Sequence, residues 1–305
     1  MNRRAIISSL GALLFSAGAA VGISRLAAVS RRGVSVSSRG GPAPLRLVSL
    51  TPAITETVLA LGGAAELVGV SNYCALPQGL ALPRLGSSLT PSFEAIAGLR
   101  PSVILCDDSA GAKRQELAAI AKCEVLPWLT LPEVVSSIRR IGQLLGQASA
   151  GDALAERLDH RLSRRPPPGA PRVLLLLSYD PDRPAEIWFI RQNSLHGAAL
   201  AAAGAQNAVA HDVAGLPRLS VEELIKLDPD VILIIPPPGA TLEQRRRILA
   251  AFDALLPLRA VKDGKTGVLR TASQSVGPSI LELCDGLSTM LQKMAGPRPV
   301  SGFVE

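Results

Sequence analysis

One nine-residue phrase occurs twice in this chain, and no other feature restricts the fold as tightly. Phe93-Glu94-Ala95-Ile96-Ala97-Gly98-Leu99-Arg100-Pro101 leads into the apolar run Ser102-Val103-Ile104-Leu105-Cys106. Far downstream, Val221-Glu222-Glu223-Leu224-Ile225-Lys226-Leu227-Asp228-Pro229 leads into Asp230-Val231-Ile232-Leu233-Ile234. In both copies a glutamate stands seven positions ahead of a proline, with apolar residues at helical spacing between them. The proline closes a short helix, because its ring and missing N–H forbid continuation, and a β-branched run follows at once. Two copies of one helix–proline–strand unit imply an α/β fold of two similar lobes, each a parallel sheet flanked by helices, with a cleft between them.

The chain of 305 residues is long enough for two such lobes, each with its own core. Its first segment reads as an export signal and tether over 1–43. Met1-Asn2-Arg3-Arg4 is basic, residues 5–23 are apolar and uncharged, and small residues offer cuts near Ala17 to Ala20 or Ala27-Ala28. A retained membrane anchor is the competing reading, because the stretch approaches spanning length; its Ser, Gly and Ala content favours cleavage. Arg3-Arg4 fits the twin-arginine route as well as the Sec route. No cysteine lies near the leader, which argues against a lipid anchor.

The leader also accounts for the basic balance. Six arginines and no acid lie in residues 1–42, so the formal charge of +7 drops to +1 downstream. With no basic patch left, nucleic-acid binding is excluded. Cys74, Cys106, Cys123 and Cys284 lack CxxC spacing, which argues against zinc and thioredoxin-type sites; the cysteines read as buried thiols, with one disulfide of unassigned pairing as the alternative in an exported protein.

Strands are expected over 45–50, 66–70 and 123–128, with helices over 54–61, 112–122 and 131–145, in an N-terminal lobe of 44–147. Residues 148–165 carry Leu154, Leu158 and Leu162 at four-residue spacing ahead of Pro166-Pro167-Pro168, the pattern of one long helix joining the lobes across 148–166. Eighteen residues would make a rod of roughly 27 Å, which holds the lobes at a nearly constant spacing. The C-terminal lobe, 170–297, restarts at a buried strand over 171–177. A short edge strand over 186–190, helices over 194–204, 242–255 and 278–294, and a strand over 267–269 follow. Residues 298–305 read as a tail.

No catalytic constellation is present: there is no P-loop, no G-x-S-x-G elbow and no H-E-x-x-H, and His160, His196 and His211 are isolated. Asp107-Asp108 sits at the carboxyl end of a strand, where open α/β sheets bind ligands; capping the helix at 112 is its structural alternative. Glu94 and Glu222 occupy equivalent positions at the start of the repeated helices. An acid there faces the positive end of the helix dipole, and a matched pair also offers two attachment points to a partner with arginine pockets.

These features together resemble the ABC-transporter solute-binding proteins of the helical-backbone type, which carry cobalamin, ferric siderophores and haem. The resemblance covers roughly 45–295 and rests on five stretches. They are Arg46 to Glu56, Val68-Gly69-Val70-Ser71-Asn72-Tyr73, Glu94 to Leu105, Ser194 to Asn207 around Gly204, and Glu222 to Ile234. It implies two Rossmann-like lobes joined by a single long helix, a ligand between them, no enzymatic activity, and no resident cofactor or metal. It further implies a periplasmic monomer whose Glu94 and Glu222 dock on an inner-membrane permease/ATPase complex. Position by position it places Ala53, Tyr73, Ser88, Asp107, Trp188, Leu216 and Ser275 around the cleft. Tyr73 and Trp188 suit flat macrocycles or catecholate rings, and Arg191 is a further candidate for an anionic ligand group. Cobalamin carriers of this family line the cleft with more Trp and Phe, and Ser88, Asp107 and Leu216 depart from that. The segment around Tyr73 favours cobalamin; a ferric siderophore or haem is the rival ligand. Two readings from other classes are a metallocluster enzyme, which needs Cys or His ligands at the lobe interface, and an anchored sensor or scaffold, which needs an uncleaved leader.

Overall fold

The computed structural model describes residues 44–177, 179–183, 186–213, 217–253, 258–270, 276–296 and 303–304; the expected leader lies outside them. The first lobe runs β1 (Leu47–Ser49), α1 (Pro52–Ala60), β2 (Leu67–Val70), α2 (Phe93–Gly98), β3 (Val103–Cys106), α3 (Lys113–Ile120), β4 (Lys122–Val125) and α4 (Leu131–Leu144). Its strands form one parallel sheet in the order β2-β1-β3-β4, with Leu47 opposite Val103 and Ser49 opposite Leu105. After α5 (Ala148–Leu162) the second lobe contains β5 (Arg172–Leu177), β6 (Ile187–Trp188), α6 (Leu195–Ala202), β7 (Gln206–Asn207), β8 (Arg218–Leu219) and α7 (Val221–Leu227). It continues with β9 (Val231–Ile235), α8 (Leu242–Asp253), α9 (Arg259–Lys262), β10 (Thr266–Val268), α10 (Ile280–Met294) and β11 (Phe303–Val304). Its parallel sheet has the order β11-β10-β9-β5-β7.

The inner strands β3 and β9 are buried on both faces, so they read as unbroken apolar runs and need helices above and below. The two-residue period divides each run between layers. In the second lobe Val173, Leu175, Val231 and Leu233 point toward α6 and α10, while Leu174, Leu176, Ile232 and Ile234 pack with Leu224 and Phe252. In the first, Leu47, Val103 and Leu105 face α1 and α4, and Val48, Ile104 and Cys106 meet Ile96 and Leu117. The layer holding Leu47 and the layer holding Val173 are one continuous apolar cluster, joined through Ile138 and Ile141 of α4 and Leu154, Leu158 and Leu162 of α5.

The connecting helix is shorter than the sequence pattern predicts. It ends at Leu162, capped by Ser163, so its 15 residues span about 22 Å. Pro166 disfavours helical geometry in the residue before it, and the last turn unwinds ahead of the triple proline. Where α5 crosses α4, a Cβ on Gly142 would lie 2.9 Å from Gly151 Cα, and one on Gly151 would lie 3.0 Å from Gly142 Cα. Only two glycines permit that approach.

Other differences are local. The segment expected as an edge strand over 186–190 pairs at Ile187 and Trp188 with Arg218 and Leu219 in a two-stranded antiparallel ribbon, and at Phe189 it bridges antiparallel to Leu176 of β5 in the main sheet. The expected tail contributes Phe303–Val304 as a further parallel strand beside β10. In the repeated unit, Arg100 (φ 47°) and Asp228 (φ 38°) are the non-glycine residues with positive φ among those described, and each directly precedes its proline. The left-handed residue reverses the chain at the end of each short helix, so the two copies match in backbone as well as in sequence.

Candidate functional site

Two contacts orient the lobes. Trp128, three residues past β4, donates its indole N–H to Val276 O at 2.9 Å, in the segment that follows β10. Glu56 of α1 accepts the backbone N–H of Ser279, the residue that leads into α10. Both bonds join segments that leave the carboxyl ends of strands, so the carboxyl edges of the two sheets face each other.

Each sheet has its topological switch at the strand that opens the lobe, because the chain moves from β1 to β2 on one side and to β3 on the other, and β5 likewise lies between β7 and β9. Ligand crevices of open α/β sheets form at such points. In the first lobe a pocket of about 160 Å³ opens there, lined by Thr51, Pro52, Tyr73, Ser88, Leu89 and Asp107 among others. Tyr73 is 74% exposed, an unusual state for a large apolar ring. Ser88 is buried, with its hydroxyl 3.0 Å from Thr51 Oγ1 and 3.4 Å from Leu50 O. Gly86, at φ 82°, allows the loop carrying Ser88 and Leu89 to fold so closely that any Cβ would strike Thr90 O.

Asp107 caps a 3-10 turn, Asp108–Ala110, rather than the helix that begins at Lys113. Its Oδ1 accepts the Ser109 backbone N–H at 3.1 Å and also the Ser109 hydroxyl. Both bonds fall on one oxygen, so the aspartate closes the turn while its residue lines the pocket. Behind it, the Cys106 thiol lies 3.4 Å from that of Cys123, and burial, reinforced by that neighbour, pushes its pKa far up. The thiol stays protonated beside the wall.

Tyr73, Ser88 and Asp107 therefore converge on one wall. Ala53 does not join them. It is 2% exposed, part of the inward face of α1 with Ile54 and Val58, and Pro52 takes the lining position instead.

On the facing lobe Trp188 is half-buried and lines a pocket of about 200 Å³ with Leu177, Tyr179, Asp180, Arg183 and Glu186. Arg183 sits 3.7 Å from Asp180 and 3.8 Å from Glu186, so this wall is polar but largely self-neutralised. Tyr179 is buried edge-on against Phe252, with ring centres 4.8 Å apart. Its pKa is raised by burial and by Asp180. Arg191 lines neither pocket; its guanidinium donates to Val213 O at 3.3 Å and props that loop. Leu216 and Ser275 lie outside the described residues.

Several lining groups escaped the sequence reading. A crevice of about 410 Å³ at the carboxyl ends of β5 and β9 is formed by Tyr179, Asp180, Asp182, Pro237, Pro238 and Arg247 among others, with Arg247 and Asp182 3.0 Å apart. The Pro236-Pro237-Pro238-Gly239 run was its only trace in the sequence. Leu89 and Leu129, 66% and 60% exposed, follow no period that would mark them. Glu94 and Glu222 are exposed second residues of α2 and α7, and neither pairs with another side chain among the described residues. Glu223 is spent in a capping box with Ser220. Among the described residues no group of three metal-ligating side chains is gathered, and no helix is long and apolar enough to cross a membrane.

Known proteins repeat this architecture. A family model described as periplasmic binding protein matches residues 47–269. A protein named cobalamin-binding protein from Halobacterium salinarum is 27% identical over 205 residues, 62% of this chain and 53% of its own length, so the match spans about half of that relative. A vitamin B12-binding protein of Vibrio cholerae is 26% identical over 201 residues, 61% of this chain and 69% of its own. The crystal structure of a periplasmic heme binding protein from Pseudomonas aeruginosa superposes with a TM-score of 0.65 at 28% identity, covering 81% of this chain and 91% of its own. Paired parallel sheets, a joining helix and facing carboxyl edges thus come with a matched sequence family: this chain belongs to the periplasmic binding proteins, which bind solutes and are not enzymes.

Proposed function

We propose that this chain is the exported solute-binding component of an ABC importer, and that it delivers a corrinoid such as cobalamin, or a related metal chelate, to a membrane permease. The observation that carries the reading is the pair of aromatic side chains, exposed Tyr73 and half-buried Trp188, on walls at the carboxyl edges of two lobes. Flat, mostly apolar ligands with a few polar groups fit such a pair. The names of the Halobacterium and Vibrio relatives favour a corrinoid, and the Pseudomonas neighbour supports haem as the second reading. In this reading Leu216 and Ser275 contribute to the ligand site, and Glu94 and Glu222 engage basic pockets on the permease. The protein works in the periplasm as a monomer after cleavage of its export signal.

Intrinsic tryptophan fluorescence tests it. Trp128 is buried at the lobe contact and Trp188 lines the second-lobe pocket, so Trp128→Phe and Trp188→Phe variants separate their shares of any quenching. Cobalamin should quench saturably, and Trp188→Phe should abolish most of the change. Saturable quenching by haem or a ferric siderophore, with none by cobalamin, reassigns the ligand; no quenching by any of them removes the corrinoid and metal-chelate reading.

A further inference from the structure

The repeated unit is held by a matching arginine in each lobe. Arg46, immediately before β1, reaches the end of α2, donating from Nη2 to Leu99 O at 2.7 Å and from Nε to Arg100 O at 3.2 Å. Arg172, the first residue of β5, does the same to α7, donating from Nη2 to Leu227 O at 2.9 Å and from Nη1 to Asp228 O at 3.3 Å. Counted from the proline, the accepting carbonyls are the same two in both lobes.

The backbones around these arginines match too. The Arg46 N–H donates to Ser102 Oγ at 2.8 Å, and the Ser102 N–H returns to Arg46 O at 2.9 Å. The Arg172 N–H donates to Asp230 Oδ2 at 2.8 Å, and the Asp230 N–H returns to Arg172 O at 2.9 Å. Neither partner belongs to the nine-residue phrase, so the duplication extends to the strand that opens each lobe.

We infer that Arg46 and Arg172 are positioning residues that aim Glu94 and Glu222 at the importer. This rests on the docking role proposed above. The carrying helices have six and seven residues, too short to hold their own direction in water. Each glutamate lies five residues ahead of the first clamped carbonyl, so the orientation of the acid is set from the far end of its helix. A forked guanidinium on two carbonyls, at the negative end of the helix, is a charge-assisted and directional restraint.

The two lobes differ in one respect. Arg259, which opens α9, also donates to Asp228 O at 3.3 Å, and its guanidinium lies 2.6 Å from Asp230 Oδ1. Among the described residues α2 has no such second arginine. The clamp in the first lobe rests on Arg46 alone.

The test places nitroxides, attached through a ketone-bearing amino acid, at positions 94 and 222, and reads their separation by pulsed electron-spin resonance. Arg46→Gln should broaden the distribution. Arg172→Gln should leave it narrow, and Arg172→Gln with Arg259→Gln should broaden it. In proteoliposomes, unlabelled Arg46→Gln should raise the concentration that half-saturates importer ATPase stimulation by about tenfold, with the maximal rate kept, as expected when ordering must occur at docking. Arg46→Lys, which keeps the charge without the fork, covers the case in which Arg46→Gln fails to fold. An unchanged distribution, or an unchanged half-saturation, in a variant still folded at the assay temperature overturns the inference. Glu94→Ala with Glu222→Ala is the control. If that pair also stimulates normally, the docking role itself fails; if it alone is impaired, only the clamp fails.

Discussion

Asp107 shows how one side chain serves the fold and the site together. Its Oδ1 closes the turn after β3, and the same turn holds the carboxylate at the pocket mouth. Tyr73 has the opposite character: its ring is mostly in solvent, and only its backbone N–H is tied, to Ser71 Oγ at 3.1 Å. Under the proposed corrinoid reading, Tyr73→Ala should leave the thermal midpoint unchanged while weakening cobalamin affinity about tenfold, the worth of roughly 1.4 kcal/mol of ring contact. A variant that melts earlier yet binds normally would place the ring in the fold instead. Glu124, on the edge strand β4, offers a pH test. Arg140 at its carboxylate holds its pKa below the usual value, with burial opposing and Lys122 assisting. A depressed folded-state pKa adds stability above the unfolded value, and that stability is lost as pH falls through the folded value. Glu124→Gln should lower stability by about 0.5–1 kcal/mol at pH 7 and by nothing at pH 2, measured by urea unfolding. Equal losses at both values would show that the charge is not responsible.

Among the elements, the α4–α5 crossing governs how the lobes are joined. It has no side chain between the backbones at Gly142 and Gly151, so the helices meet closely enough for Ile138, Ile141, Leu154 and Leu158 to share one apolar layer. Gly142→Ala places a methyl against backbone, which cannot rotate away. A loss of about 1–3 kcal/mol in denaturant unfolding is expected, as for overpacked cores. No shift in the midpoint would mean that the helices can separate freely. The four-residue leucine spacing made α5 legible in the sequence, since Leu154, Leu158 and Leu162 all point into that layer. Its length was less legible, because where the helix unwinds before Pro166 depends on what its last turn packs against. The ribbon of β6 and β8 was harder still. Its two-residue strands are too short for a period, and their pairing joins residues about thirty apart in the chain.

At the scale of the whole molecule, the continuous apolar layer, the Trp128 bond to Val276 and the Glu56 bond to Ser279 oppose hinge motion between the lobes. Relative motion is the default only where an interface is small and polar. X-ray scattering from the unloaded protein and from the protein loaded with the proposed ligand should accordingly give the same radius of gyration; clear compaction on loading would refute a preformed cleft. The chain by itself determined the two-lobed parallel architecture, the joining helix and the equivalence of Glu94 and Glu222. Those follow from local rules: apolar period, proline stops and a repeated phrase act over a few residues. Only the tertiary structure decided that Ala53 faces inward while Pro52 lines the wall, and that Arg191 props a loop. It also decided that Arg46 and Arg172 grip helices more than fifty residues away. Burial and long-range hydrogen bonds depend on which distant segments meet, and that information does not lie within any short window of sequence.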